Sequence, residues 1–151
     1  MSLTSELLER YFVIYNFTEN DEVNLEKEKI VEIQPDAFKN CRQRKIRSLR
    51  IRYIDENEKR YTIKFNKAHS SLFEPLKEHL EVLDVACNLD CEFNFLEHLS
   101  KLKKLTLNVK CNKIGKLVFN GANNQLVHLD LSRCKLKISD KTMFNDLKCL
   151  T

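Results

Sequence analysis

The sequence predicts an α/β fold, a curved solenoid whose repeats each add one short strand to a parallel sheet on the concave side, with an irregular or short-helical convex side. Two observations lead to this prediction. Leucines recur with a period of 24 residues, at Leu102, Leu126 and Leu150. Within each repeat, apolar residues alternate with polar ones, as Leu129 and Leu131 do, which is the spacing of a strand that buries one face.

The stretch 126–136 contains one complete repeat unit. Its leucines fall at offsets 1, 4, 6 and 11, and Cys134 occupies offset 9. Neither a helix nor a strand alone produces that spacing, so the chain must enter and leave a short strand. Equivalent positions in this unit and its neighbours predict a buried core of Leu83, Val85, Leu105, Leu107, Leu129, Leu131 and Leu136.

The repeat between residues 102 and 117 fits this unit in two registers. In the first register, Leu105 and Leu107 are the inward strand residues, whereas in the second Leu107 and Val109 take their places. The registers differ by two residues, which suggests a bulge at one strand edge. The sequence leaves both registers open.

Residues 20–151 are predicted to form about four to five repeats, the last one truncated, behind an N-terminal cap at 1–19. In the cap, we expect a helical turn from Ser5 to Arg10 and then an alternating strand from Tyr11 to Phe17.

One repeat is longer than the others. It begins at Ile46, and the alternation of Tyr61, Ile63 and Phe65 follows a polar turn at 55–58. This pattern predicts an additional strand within the return of that repeat.

The unit resembles the leucine-rich-repeat pattern L-x-x-L-x-L-x-x-N/C-x-L, most specifically over 80–151. The 24-residue period and the F-x-x-L return at Phe144 and Leu147 are similar to the extracellular type of Toll-like receptors and insect secreted immune proteins. The resemblance implies a non-catalytic, secreted or cell-surface horseshoe, a receptor ectodomain of innate immunity or adhesion, that binds a protein ligand or a partner repeat protein. The chain departs from those ectodomains because its first cysteine is Cys41, so it lacks their cysteine-clustered cap.

Strand alternation places the residues between the inward leucines on the concave face. The middle column, Arg50–Asp84–Thr106–Asp130, is polar and mixed in sign, as suits recognition of a folded protein, and Ala86 is expected on the same face. The face has no aromatic cluster, which disfavours a nucleic-acid ligand. The predicted binding residues are Arg50, Arg52, Asp84, Thr106, Asn108, His128, Asp130, Ser132 and Arg133.

The net charge of +4 is unevenly distributed. Residues 1–38 hold three basic and nine acidic side chains, and residues 39–67 hold eleven basic and three acidic ones. The basic segment supports an alternative hypothesis, a cytoplasmic or nuclear repeat protein that binds RNA or another polyanion. A simpler interpretation is a solvated edge that an acidic neighbour partly neutralises. The basic side chains concerned are Lys39, Arg42, Arg44, Lys45, Arg47, Arg50 and Arg52.

No residue pattern indicates catalysis, a metal or a cofactor. The six cysteines contain no C-x-x-C pair, and glycine occurs only at 115 and 121, which excludes a glycine-rich phosphate loop. The four histidines are scattered, without a nucleophile or carboxylate at motif spacing. We therefore expect a protein without enzymatic activity.

Three features bear on the compartment. Cys87 and Cys111 are 24 residues apart, and only the second register brings them to the same end of adjacent strands, where a disulfide is feasible. Asn16 begins the only N-glycosylation sequon, Asn16-Phe17-Thr18. No apolar run approaches the ~18 residues of a membrane span, and the N-terminus lacks the basic and apolar segments of a signal peptide.

Leu150-Thr151 falls where a further repeat would begin. A solenoid needs a polar capping unit over its last repeat, and the sequence contains none there. We therefore expect the chain to be the N-terminal part of a larger protein, with an uncapped C-terminal end suited to self-association.

Overall fold

The computed structural model describes residues 1–15, 22–54, 60–61, 63–89, 96, 98–109, 125–132, 144–145 and 147–151 of the chain. Over these residues the protein is a mixed α/β structure with one α-helix, four short 3₁₀ turns and ten strands. The helix α1 spans Ser5–Ile14. The 3₁₀ turns span Glu26–Glu28, Lys39–Cys41, Lys67–His69 and Glu74–Leu76.

Most of the strands are short, and the longest has eight residues. Their bounds are β1 (Ser2–Leu3), β2 (Glu22–Asn24), β3 (Glu32–Ile33), β4 (Ser48–Ile51), β5 (Tyr53–Ile54), β6 (Arg60–Tyr61), β7 (Ile63–Phe65), β8 (Val82–Leu89), β9 (Lys104–Val109) and β10 (His128–Asp130).

Five of these strands form a parallel sheet in the spatial order β2-β4-β8-β9-β10, which is also their order along the chain. Val23, Leu49, Leu83, Leu105 and Leu129 lie opposite one another in successive strands. The predicted parallel pairing is therefore confirmed for the described strands.

The register of β9 is the first of the two that the sequence allows. The pairing of β8 with β9 is continuous over six residue pairs, and Leu105 lies opposite Leu83. The second register, which would put Leu107 opposite Leu83, is wrong, and the expected bulge is not found within these six pairs. The first register also buries Leu102, the leucine at the entrance to the repeat.

On the edge away from β9, strand β8 pairs with two different strands. Its first half pairs with β4 and its last three residues pair with β7, both in parallel. The additional strand predicted from Tyr61, Ile63 and Phe65 is confirmed as β6 and β7, with β6 antiparallel to β5. Ile63 and Phe65 are buried, which explains why this segment follows the strand alternation.

The N-terminal helix is longer than predicted. The side chain of Thr4 caps it by accepting a hydrogen bond from the backbone N–H of Leu7 at 3.2 Å. Leu8 and Phe12, one helical turn apart, are buried, whereas Val13 is 80% exposed. The predicted strand from Tyr11 is wrong as far as Ile14, because helical spacing buries more apolar surface here than alternation would.

The core lies on one side of the parallel sheet and confirms most of the predicted inward positions. Leu83, Val85, Leu105 and Leu107 are fully buried. Leu129 and Leu131 are half-buried and pack against the core, because β10 is the edge strand of the described sheet. The remaining prediction, Leu136, lies outside the described residues.

Candidate functional site

The face of the sheet opposite the core carries aligned rows of outward side chains. In the middle row, Asn24, Arg50, Asp84, Thr106 and Asp130 lie opposite one another across all five strands. This alignment confirms the predicted column from Arg50 to Asp130 and extends it by Asn24. Because outward residues alternate with inward ones, a second row contains Ala86 and Asn108, which lie opposite each other, while Arg52 directly follows the end of β4.

The first half of this face is charged. We use "charged half" for Glu26, Arg50, Arg52 and Asp84, which lie on or beside β2, β4 and β8. A single carboxylate oxygen, Oδ2 of Asp84, is 3.3 Å from Nε of Arg50 and also accepts a hydrogen bond from a terminal nitrogen of Arg52. The Asp84 side chain is 12% exposed, so the two guanidinium groups cover most of it.

Glu26 lies beside both arginines without a close contact. Its Oε2 is 3.9 Å from a terminal nitrogen of Arg50, and its Oε1 is 3.9 Å from Nε of Arg52. Both distances exceed the usual length of a hydrogen bond, so the attraction is electrostatic only. The charged half thus contains one tightly held carboxylate, Asp84, and one loosely held carboxylate, Glu26.

Burial governs the protonation of Asp84. Removal from water raises the pKa of the Asp84 carboxyl, although Arg52 and Arg50 act in the opposite direction. Asp84 and Ala86 are both buried, although strand alternation places them on the outward face. The methyl side chain of Ala86 is short, and the Asp84 carboxylate lies beneath the long side chains of Arg50 and Arg52.

The other half of the face is polar and more open. We use "polar half" for Thr106, Asn108, His128, Asp130 and Ser132, on or next to β9 and β10. His128 and Ser132 are exposed, and the other three are half-buried. The backbone N–H of Ser132 donates to Oδ1 of Asp130 at 2.9 Å. The Ser132 side chain and this backbone bond lower the pKa of the Asp130 carboxyl. Arg133, predicted to belong here, lies outside the described residues.

Several cations of the basic segment 39–67 are paired with nearby carboxylates. Arg44 is 2.7 Å from Glu9, and its guanidinium carbon lies 4.1 Å from the ring centre of Phe12. Arg42 is 2.8 Å from Glu74. Lys39 is paired to Asp36, and the two arginines of the charged half contact Asp84.

The described residues offer little for catalysis or metal binding. Within them, no group of three or more His, Cys, Asp or Glu side chains is arranged to hold a metal ion. Cys41 is buried, and this raises the pKa of its thiol to about 12, so the reactive thiolate is not formed at neutral pH. Cys149 is an exposed free thiol.

The proposed Cys87–Cys111 disulfide stays a prediction. Cys111 and the Asn16 sequon lie outside the described residues. The backbone of Cys87 pairs with Val109, as the first register requires, and that is the register in which the sequence favoured no bridge.

Two residues of the site, Asn24 and Glu26, were not predicted. The signal was present in the alternation of Val23 and Leu25, which places Asn24 and Glu26 on the opposite face. The pattern in this part of the chain is short, and the 3₁₀ turn that begins at Glu26 interrupts it.

A scan against protein-family models and searches of curated proteins and solved structures found no match to this chain. None of the helices in the described part of the chain has the length and apolar composition needed to span a membrane.

Proposed function

We propose that this protein is a non-catalytic interaction module, a leucine-rich-repeat solenoid that binds a protein partner through the outward face of its parallel sheet. The observation that carries the proposal is the middle row, Asn24–Arg50–Asp84–Thr106–Asp130, in register across five strands. Parallel strands lie ~4.8 Å apart, so the row holds polar groups at fixed, regular intervals. A rigid array of this kind loses little conformational entropy on binding.

A repeated backbone contact supports the solenoid part of the proposal. The N–H of Glu81 donates to the carbonyl of Arg47, that of Lys103 to Glu81, and that of Val127 to Lys103, each at 2.8 Å. The N–H of Thr151 makes the same contact with the carbonyl of Val127 at 3.3 Å. A bond that recurs at the entrance to successive strands is what stacking of similar repeats produces.

The polar half supports protein binding. Its side chains are polar, and strand pairing fixes the backbone of Thr106, Asn108, His128 and Asp130. Secretion or display at the cell surface, with a role in immune recognition, forms part of the same proposal and rests on the resemblance of the repeats alone.

The alternative, polyanion binding through 39–67, has less support. Phosphate binding requires cations that are free to release their counterions, and Lys39, Arg42 and Arg44 of this segment are each paired with a carboxylate. Ionic strength separates the two hypotheses, since binding through about six phosphate contacts would weaken by several orders of magnitude between low and physiological salt.

Site-specific photo-crosslinking tests the proposed function. A photoreactive phenylalanine analogue replaces His128 on the face, or Glu78, an exposed residue of the return between β7 and β8, as the matched control. In extracts of the native source, we expect a discrete protein adduct from position 128 and none from position 78. Equal adducts from both positions, or an adduct that ribonuclease removes, would contradict the proposal.

A further inference from the structure

We propose that Arg50 and Arg52 form a carboxylate-binding anchor, and that the protein partner inserts an Asp or Glu side chain there in place of Glu26. This inference rests on the proposed function and specifies the chemistry of the partner.

The inner side of the anchor is fixed by Asp84. This carboxylate is buried beneath the sheet face and uses the same oxygen, Oδ2, for both guanidinium groups. Asp84 therefore orients the two arginines and neutralises one of their two positive charges. The second positive charge is therefore available to a carboxylate on the solvent-facing side of the two arginines.

The arginines keep unused donors. Each guanidinium has five N–H groups, and Asp84 engages a small part of this set. Within the described part of the chain, Nε of Arg50 and Nε of Arg52 are buried and have no hydrogen-bond acceptor. Nε of Arg50 is close to Asp84, at 3.3 Å, but its N–H is not directed at the carboxylate oxygen. The Arg50 and Arg52 side chains remain 37% and 28% exposed, so a ligand can reach their outer edges.

Glu26 makes only weak contacts with the solvent-facing side of the two arginines. It is 3.9 Å from each arginine, whereas Arg42 and Arg44 are 2.8 Å and 2.7 Å from their carboxylate partners. An external carboxylate at an ordinary charge-assisted distance of about 2.8 Å would make stronger contacts than Glu26 does. Glu26 is 34% exposed and lies at the start of a 3₁₀ turn, two residues beyond the end of β2, so its side chain can turn to solvent when a ligand arrives.

The planar geometry of the guanidinium favours a carboxylate over other groups. Two adjacent guanidinium groups can each bind a carboxylate through two parallel N–H donors. A neutral amide of the same shape would lose the charge assistance. The anchor should therefore discriminate acidic peptides from their amide counterparts.

The test is an NMR titration of the ¹⁵N-labelled full chain, which observes the Nε–H signals of the arginines. The probe is the peptide acetyl-Gly-Glu-Asp-Glu-Gly-amide, and the control is its counterpart with Gln-Asn-Gln. We expect the acidic peptide to shift the Arg52 Nε–H signal and the control to leave it in place. Shifts of equal size with both peptides would overturn the proposal, as would shifts with inorganic phosphate but not with the acidic peptide.

Three variants sharpen the result. Glu26→Gln removes the internal competitor, so peptide affinity should rise about two- to fivefold, the range expected from an exposed ion pair. Arg52→Lys keeps the charge but loses the planar fork, so affinity should fall. Arg42→Gln, at an exposed arginine outside the anchor, should leave affinity unchanged. An unchanged affinity in Glu26→Gln would contradict displacement of Glu26.

The outcomes separate this inference from the proposed function. A protein adduct from position 128 together with no response to the acidic peptide would refute the anchor alone. Failure of the protein crosslink would refute the proposed function whatever the peptide does.

Discussion

Two halves of one sheet face share a register but differ in how their carboxylates are held. In the charged half, Asp84 is covered by Arg50 and Arg52, and burial raises the pKa of its carboxyl. In the polar half, hydrogen bonds from the Ser132 side chain and from its backbone N–H lower the pKa of the Asp130 carboxyl. Both carboxylates belong to the same row. The comparison shows that position in a strand fixes where a side chain lies, while the neighbouring side chains fix its chemistry.

The largest expected difference lies beneath the face, between the interior strand β9 and the edge strand β10. Leu105→Ala should lower the free energy of unfolding by about 3–5 kcal/mol, since Leu105 is fully buried. Leu129→Ala, at the next position in the same row of leucines, should lower it by about 1–2 kcal/mol, because Leu129 is half-buried. Urea denaturation of the two variants measures both values. Equal losses would mean that β10 is as well covered as β9.

Substitution of the two carboxylates should give a smaller difference. Asp84→Ala leaves two guanidinium groups facing each other without their shared acceptor, and we expect a loss of about 2 kcal/mol. This lies below the range for fully buried pairs, because both arginines are partly exposed. Asp130→Ala removes an exposed capping contact and should lower the free energy of unfolding by less than about 1 kcal/mol. Urea midpoints at neutral pH check both values, and a larger loss for Asp130→Ala would reverse the comparison.

The sequence predicted the parallel sheet, its inward leucines and the column from Arg50 to Asp130. These features depend on strand alternation and the spacing of leucines, and both can be read from a single chain. The length of α1 was missed, because Tyr11 and Val13 also alternate and because the burial of Phe12, which favours the helix, depends on the tertiary core.

The chemistry of the charged half could not be predicted from spacing. Burial of Asp84 depends on the paths of the Arg50 and Arg52 side chains, which the backbone pattern does not specify. The position of Glu26 depends on a 3₁₀ turn that begins where β2 ends. Both are properties of side-chain packing and local turns, which set the electrostatics of the face after the strands have set its geometry.

Opposite pKa shifts have opposite consequences for stability. The lowered pKa of Asp130 contributes stability above the pKa of the unfolded chain, and this is lost as pH falls through the folded value. The raised pKa of Asp84 contributes stability that is fully present below the unfolded pKa and is lost as pH rises through the folded value. Asp130→Asn should therefore reduce stability at neutral pH and have little effect in strong acid.

The most direct test of the two-half face is the titration of both carboxyl groups in one experiment. The side-chain carboxyl ¹³C shifts of Asp84 and Asp130 are followed with pH in the intact protein and assigned with Asp84→Asn and Asp130→Asn. We expect Asp84 to titrate above the ordinary aspartate value of 3.8 and Asp130 below it. Titration of both groups at the same pH, or in the reverse order, would contradict the account.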